Sequence, residues 1–296
     1  FFWKGGVGAR LVLFPLCATL AGACAYFTES KGSFLVAGCL LVMVFVIGRP
    51  IGVKALALAA AATMGVSALN FLPRMEQMGN LRSDEGVQGR LMAWELARTA
   101  RDKTTTGEGW RQFSAMITWE GETIPKATHS SYVQVGADLG LYGLFLFILA
   151  LWCAIHTLLS AHRFTREDDI RERCRRMAMI LVIAYSVSSW MINREYHTEY
   201  FLIIAVAAAI HRLCQAEITL AGEESVEARD EEEAPNLTLG SQFKDGRVIP
   251  QLTIQTDEAD QAPSKFWASL GMLDLVATSA LTWGVLVVWD YVLTSL

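Results

Sequence analysis

Paired cysteines are missing from this sequence. Its six cysteines (Cys17, Cys24, Cys39, Cys153, Cys174 and Cys214) form no CxxC pair and no metal-ligand spacing. That excludes a disulfide framework and a zinc site, and leaves free thiols expected to be buried in or beside apolar runs. Charge is also scarce: 19% of the 296 residues are charged against 53% hydrophobic, with a mean hydropathy of +0.33. An ordinary water-soluble domain of this length is excluded, and a membrane protein is indicated. There is no GxxxxGK[ST] phosphate loop, no internal repeat and no heptad pattern. The chain lacks an initiating Met, and Phe1 to Val7 lacks the layout of a cleavable signal peptide, so it is expected to be the later part of a longer protein.

What is present divides into two materials. The net charge of −5 hides a segment from Ala216 to Ser264 with 12 acidic and 3 basic residues, so the remainder is slightly basic. The remainder holds charge-free apolar runs of the length that crosses a bilayer core of roughly 30 Å. They are residues 11–27, 33–48, 55–72, 139–161 and 177–193, a shorter one at 200–210, and a last one at 266–289 broken only by Asp274. Each must be helical in lipid, which predicts an all-α polytopic fold with about seven spans. The domain plan is three spans in 1–72, a polar loop in 73–135, three spans in 136–215, an acidic linker in 216–264 expected to be disordered, and a final helix in 265–296.

Orientation follows the basic residues of the short loops. Arg49 and Lys54 flank one turn, and six arginines crowd residues 162–176; both loops belong inside. The long loop then lies outside, with eight basic and eight acidic residues and helical texture from Gln88 to Thr104, where Arg90, Trp94 and Arg98 share a face. A small folded, partly helical cap is expected there.

The residues with chemical potential sit on that outer side. Arg90 and Lys31 are cations suited to a phosphate or pyrophosphate, Arg by forking onto two oxygens and Lys as a point charge. His129 can exchange a proton near neutral pH. Taken singly, each has a plainer reading: Arg90 as a surface residue stacked on Trp94, His129 as a loop histidine, Lys31 as a topological anchor. Asp138 reads as a capping charge, and the ionisable turn from Asn193 to Glu199 as the end of two spans.

The order of the motifs adds to this. Ser30-Lys-Gly32, Gly89-Arg-x-x-x-Trp94, Gly107-Glu-Gly109 and His129-Ser-Ser-Tyr-Val-Gln134, the last running into a Gly-rich span, together resemble the O-antigen ligase family. This superfamily includes Wzy-type polymerases and protein O-oligosaccharyltransferases, and the closest flavour is that of the exosortase-associated O-glycosylation ligases. The resemblance covers about Leu11 to Arg212. It implies a bacterial inner-membrane glycosyltransferase that moves a glycan from undecaprenyl pyrophosphate to an acceptor hydroxyl of lipid or protein at the periplasmic face, with no cofactor, metal or nucleic acid. By the same resemblance Arg90 binds the pyrophosphate and acts in catalysis, and Lys31 stands where the family usually has arginine. His129 is the base, Trp94 and the glycines shape the loop, and Tyr132 contributes to substrate binding by anchoring the His-bearing segment. A polymerase of the same superfamily is the nearest alternative. An anion or lipid transporter is a more distant one, because it would place charges within the spans.

Overall fold

The computed structural model describes residues 12–27, scattered positions from 36 to 63, and residues 85–119, 121–165, 169–232 and 271–295. The described chain is mostly helical. Its elements are α1 (Phe14–Phe27), α2 (Glu85–Lys103), a hairpin of β1 (Ala115–Trp119) and β2 (Glu122–Lys126), then α3 (Ser131–Thr165), α4 (Asp169–Ser188), α5 (Thr198–Glu232) and α6 (Met272–Ser295).

Three helices are long and apolar enough to cross a membrane: α3, α5 over Thr198–Ala216, and α6. They coincide with three of the seven expected spans. Run 11–27 falls on α1, an apolar helix of 14 residues. Run 177–193 forms the later part of α4, whose first turns are charged, and runs 33–48 and 55–72 fall largely outside the described residues. Leucines, valines and aromatics such as Phe201, Leu202, Leu273, Val276 and Trp283 face outward from α5 and α6, as lipid requires.

α3 is the central element. α4 folds back along it, and α5 and α6 pack on its other faces. Leu144, Phe147, Leu151 and Leu158 of α3 meet Val182 and Tyr185 of α4 and Tyr200 and Ala207 of α5 in the main core. Polar pairs join the helices where lipid offers no competing partner. At one end the buried Glu172 accepts from Arg175 Nε at 2.7 Å, Arg176 Nε at 2.7 Å and Thr165 Oγ1 at 2.7 Å, while Arg175 also donates to the Leu158 carbonyl at 2.9 Å. Burial favours the neutral acid there, but these donors prevail and hold the carboxyl well below the usual carboxylate range. Further along, Trp152 Nε1 donates to Asp274 Oδ1 at 3.0 Å, and His156 Nδ1 lies 2.8 Å from the same oxygen. Asp274 thus docks α6 on α3, and its other oxygen caps the helix by accepting from Gly271 N at 3.1 Å.

Three features depart from the sequence-based expectations. The polar loop contains a β-hairpin closed by two residues, with Gly121 at φ 88° in the turn. α5 continues through 216–232, where a linker was expected; Glu and Ala make up nine of those 17 residues and the next proline is Pro235. Among the cysteines only Cys214 is buried, whereas Cys17 and Cys24 are exposed on α1, where apolar surroundings would be lipid.

Candidate active site

The site is built on a break in α3. Gly140 adopts φ 65° and ψ −163°, outside helical space, so the carbonyls of Ala137 and Asp138 lose their partners within the helix. Glu108 N donates to Ala137 O at 3.0 Å and Gly109 N to Asp138 O at 2.7 Å, which satisfies both. This backbone-on-backbone approach needs glycine on each side. A Cβ on Gly107, itself at φ 71°, would lie 2.5 Å from Gly140 N, and one on Gly140 would strike the Thr105 carbonyl. The Gly107-Glu-Gly109 motif is therefore the clamp that fixes the polar loop to the broken helix.

The short first part of α3, residues 131–138, is buried throughout although it carries Ser131, Gln134 and Asp138. The turn after α4 supplies its partners. Ser131 N donates to Ser189 O at 2.7 Å, and Ser131 Oγ donates to Ile192 O at 2.7 Å while accepting from Arg194 N at 2.8 Å. Tyr132 OH donates to Ser186 O at 2.9 Å, and its ring packs against Phe147 and Trp190. Tyr132 therefore anchors the segment from within the core.

Above this platform Thr128, His129 and Ser130 form a fixed connection. The Trp94 indole donates to the Thr128 carbonyl at 2.7 Å, and the Thr128 hydroxyl lies 3.0 Å from both Gln134 Oε1 and Asn193 Oδ1. Between two buried neighbours, His129 has φ 51° and an exposed side chain. Left-handed backbone at a non-glycine residue costs about 1 kcal/mol, and a constraint of this kind recurs at functional sites.

The His129 side chain faces a cleft of about 420 Å³ that it shares with Arg90 and Trp94. The other walls are apolar: Val87 and Leu91 from α2, Val187, Trp190 and Met191 from the end of α4, and Val288 and Val292 from α6. Partial cover of the otherwise exposed imidazole by the cleft, then the charges of Arg90 and Lys126, lower its pKa from 6.5, so the neutral base dominates at pH 7. The structure thus brings together Arg90, Trp94 and His129; Lys31 lies outside the described residues.

Two contributors were not singled out from the sequence. Lys126, three residues before His129 at the end of β2, runs its side chain over Gly89, with Nζ 3.8 Å from where a Cβ would stand. Trp190 lies between Trp94 and Tyr132, at 6.2 and 5.0 Å between ring centroids. The one available cue for Lys126 was its spacing from the histidine along an extended strand.

The 126–129 connection also borders a second, polar cavity of about 470 Å³, lined by Arg111, Lys126, Gln134, Asp138, Asn193, Glu195, Tyr196 and His197 among others. Asp138 accepts from Phe113 N at 2.8 Å, Tyr196 OH at 2.9 Å and Gln134 Nε2 at 3.2 Å. Burial raises the pKa of Glu195 against the opposing effect of its own backbone N–H, and repulsion from Asp138 adds to the rise.

No curated protein and no solved structure matches the chain. Residues 16–148, which run from α1 through the break in α3 and include Arg90, Trp94, Gly107, Lys126 and His129, match the family model described as O-Antigen ligase, so this stretch of the chain is similar to that family.

Proposed function

We propose that the protein is a glycan ligase of the inner membrane, transferring a glycan from undecaprenyl pyrophosphate to an acceptor hydroxyl at the periplasmic face. The observation that carries the reading is the sharing of one apolar-walled cleft by Arg90 and His129. An apolar wall suits a prenyl chain, and a cation at its edge suits the diphosphate joining that chain to a sugar. His129, neutral at pH 7, takes the proton of the incoming hydroxyl as its oxygen bonds to the anomeric carbon. The bond from that carbon to the diphosphate oxygen breaks in the same displacement, and undecaprenyl pyrophosphate leaves with its charge met by Arg90 and Lys126. One displacement inverts the anomeric centre.

The reading is tested in the full-length protein with Arg90→Ala and His129→Ala, following glycan attachment on gels. Each variant is expected to lose attachment by at least about 100-fold, the scale of a missing general base. Normal attachment in both rejects the assignment. Deleting the gene separates ligase from polymerase: long unattached lipid-linked chains are expected to accumulate, whereas loss of a polymerase leaves single repeats.

A further inference from the structure

Apart from Lys126, the groups lining the polar cavity play no part in the transfer just described, yet the cavity is built as a binding site. Its lining brings two carboxylates, two amides and a phenol together with Arg111, Lys126 and His197. An apolar ligand would strand these groups, and a simple anion could use the basic ones but would also meet the Asp138 and Glu195 carboxyls. A neutral ring bearing many hydroxyls can both donate to the acceptors and accept from the donors.

Asp138 and Glu195 differ in a way that identifies the contact point. Both oxygens of Asp138 are occupied by protein donors. Glu195 is only 7% exposed, and its Oε2 is buried without a hydrogen-bond partner among the described residues. Such an atom is costly unless a bound molecule supplies a donor. Outside the lining, Trp110 is 62% exposed and meets Tyr196 edge-on at 6.0 Å.

Position supplies the rest. In an in-line displacement the nucleophile approaches the anomeric carbon from the side opposite the leaving group. The cavity adjoins the cleft along the 126–129 connection, with Lys126 and Ala127 lining the one and His129 the other, so an acceptor held in it neighbours a diphosphate at Arg90. Resting on the proposed transfer for the word acceptor, we infer that the polar cavity binds a sugar ring of the acceptor, with Glu195 accepting a hydrogen bond from one of its hydroxyls.

The test uses the purified full-length protein in lipid nanodiscs. The probes are free glucose, galactose, N-acetylglucosamine and heptose, followed by saturation-transfer NMR, and undecaprenyl pyrophosphate with and without one N-acetylglucosamine. At least one free sugar is expected to bind, at least tenfold more weakly in both Glu195→Ala and Glu195→Gln and within twofold of wild type in Arg90→Ala. Glu195→Gln preserves shape, so its loss is not a loss of fold. Bound sugar is expected to persist when the lipid-linked N-acetylglucosamine is saturating. Displacement by that lipid assigns the cavity to the donor's own sugar and overturns the inference, as does no binding of any sugar or unchanged binding in Glu195→Gln. Sugar binding that depends on Glu195, alongside lipid binding unaffected by Arg90→Ala, retains the cavity and rejects the donor reading instead.

Discussion

His129 has two perturbing charges near it, Arg90 and Lys126, both positive, and both add to the effect of partial cover in lowering its proton affinity. A base with a pKa below 6.5 stays neutral, and active, to lower pH than an ordinary histidine. Removing one cation reverses part of this: in Lys126→Gln the imidazolium is less disfavoured, the pKa rises toward 6.5, and the acid limb of activity moves to higher pH. Profiles of kcat/KM between pH 5 and 8 are therefore expected to show a greater loss at pH 6 for Lys126→Gln than for wild type. Coincident acid limbs would mean that His129 is not the titrating base or that Lys126 does not reach it. The identities of Arg90, Trp94 and His129 were legible in the sequence because they fall in short motifs. Lys126 and Glu195 were not, because each gains its role only when the hairpin and the turn after α4 fold against α3.

At the scale of elements, the broken α3 and the 104–109 loop form one unit. The break is useful only because the loop amides take over the released carbonyls, so a side chain that separates the two backbones breaks both hydrogen bonds. Gly107→Ala combines left-handed backbone with a Cβ 2.5–2.6 Å from backbone atoms that cannot yield. It is expected to destabilise by about 1–3 kcal/mol and to lower the melting temperature of detergent-solubilised protein. Gly22→Ala, with nothing within 4 Å of the added carbon on α1, is the control and is expected to be neutral or slightly stabilising. Equal melting temperatures for the two variants would reject the clamp. Helices were the legible part of the fold, because apolar runs without charge leave a membrane chain few alternatives. The hairpin was not legible: β1 and β2 are five residues each, too short for alternation to stand out from a polar loop. The helix at 216–232 was masked by its acidity, which reads as linker while its residue types favour helix.

Across the whole molecule, the cleft joins parts of the chain far apart in sequence. The stretch matching the O-antigen ligase family supplies Arg90, Trp94 and His129, whereas α6, more than a hundred residues beyond its end, supplies Val288 and Val292. α6 lies antiparallel to α3, held at one end by Asp274 on Trp152 and at the other by Trp289. The Trp289 indole is fully buried against Gly136, Val133 and Ala97, donates to the Trp94 carbonyl at 3.3 Å and carries the Arg101 guanidinium 4.6 Å above its ring. It thus ties the polar-loop helix α2 and the platform of α3 to the last helix, next to the cleft. Trp289→Ala empties that junction, at a cost on the scale of about 3–5 kcal/mol for a large buried aromatic, and releases the wall bearing Val288 and Val292. Asp274→Asn weakens the distant end and leaves the junction in place. Melting temperatures in detergent are expected to fall for both variants, but affinity for undecaprenyl pyrophosphate is expected to fall at least tenfold only for Trp289→Ala. Wild-type affinity in Trp289→Ala would show that α6 merely packs beside the cleft; equal losses of affinity in both would show that the helix acts through overall stability.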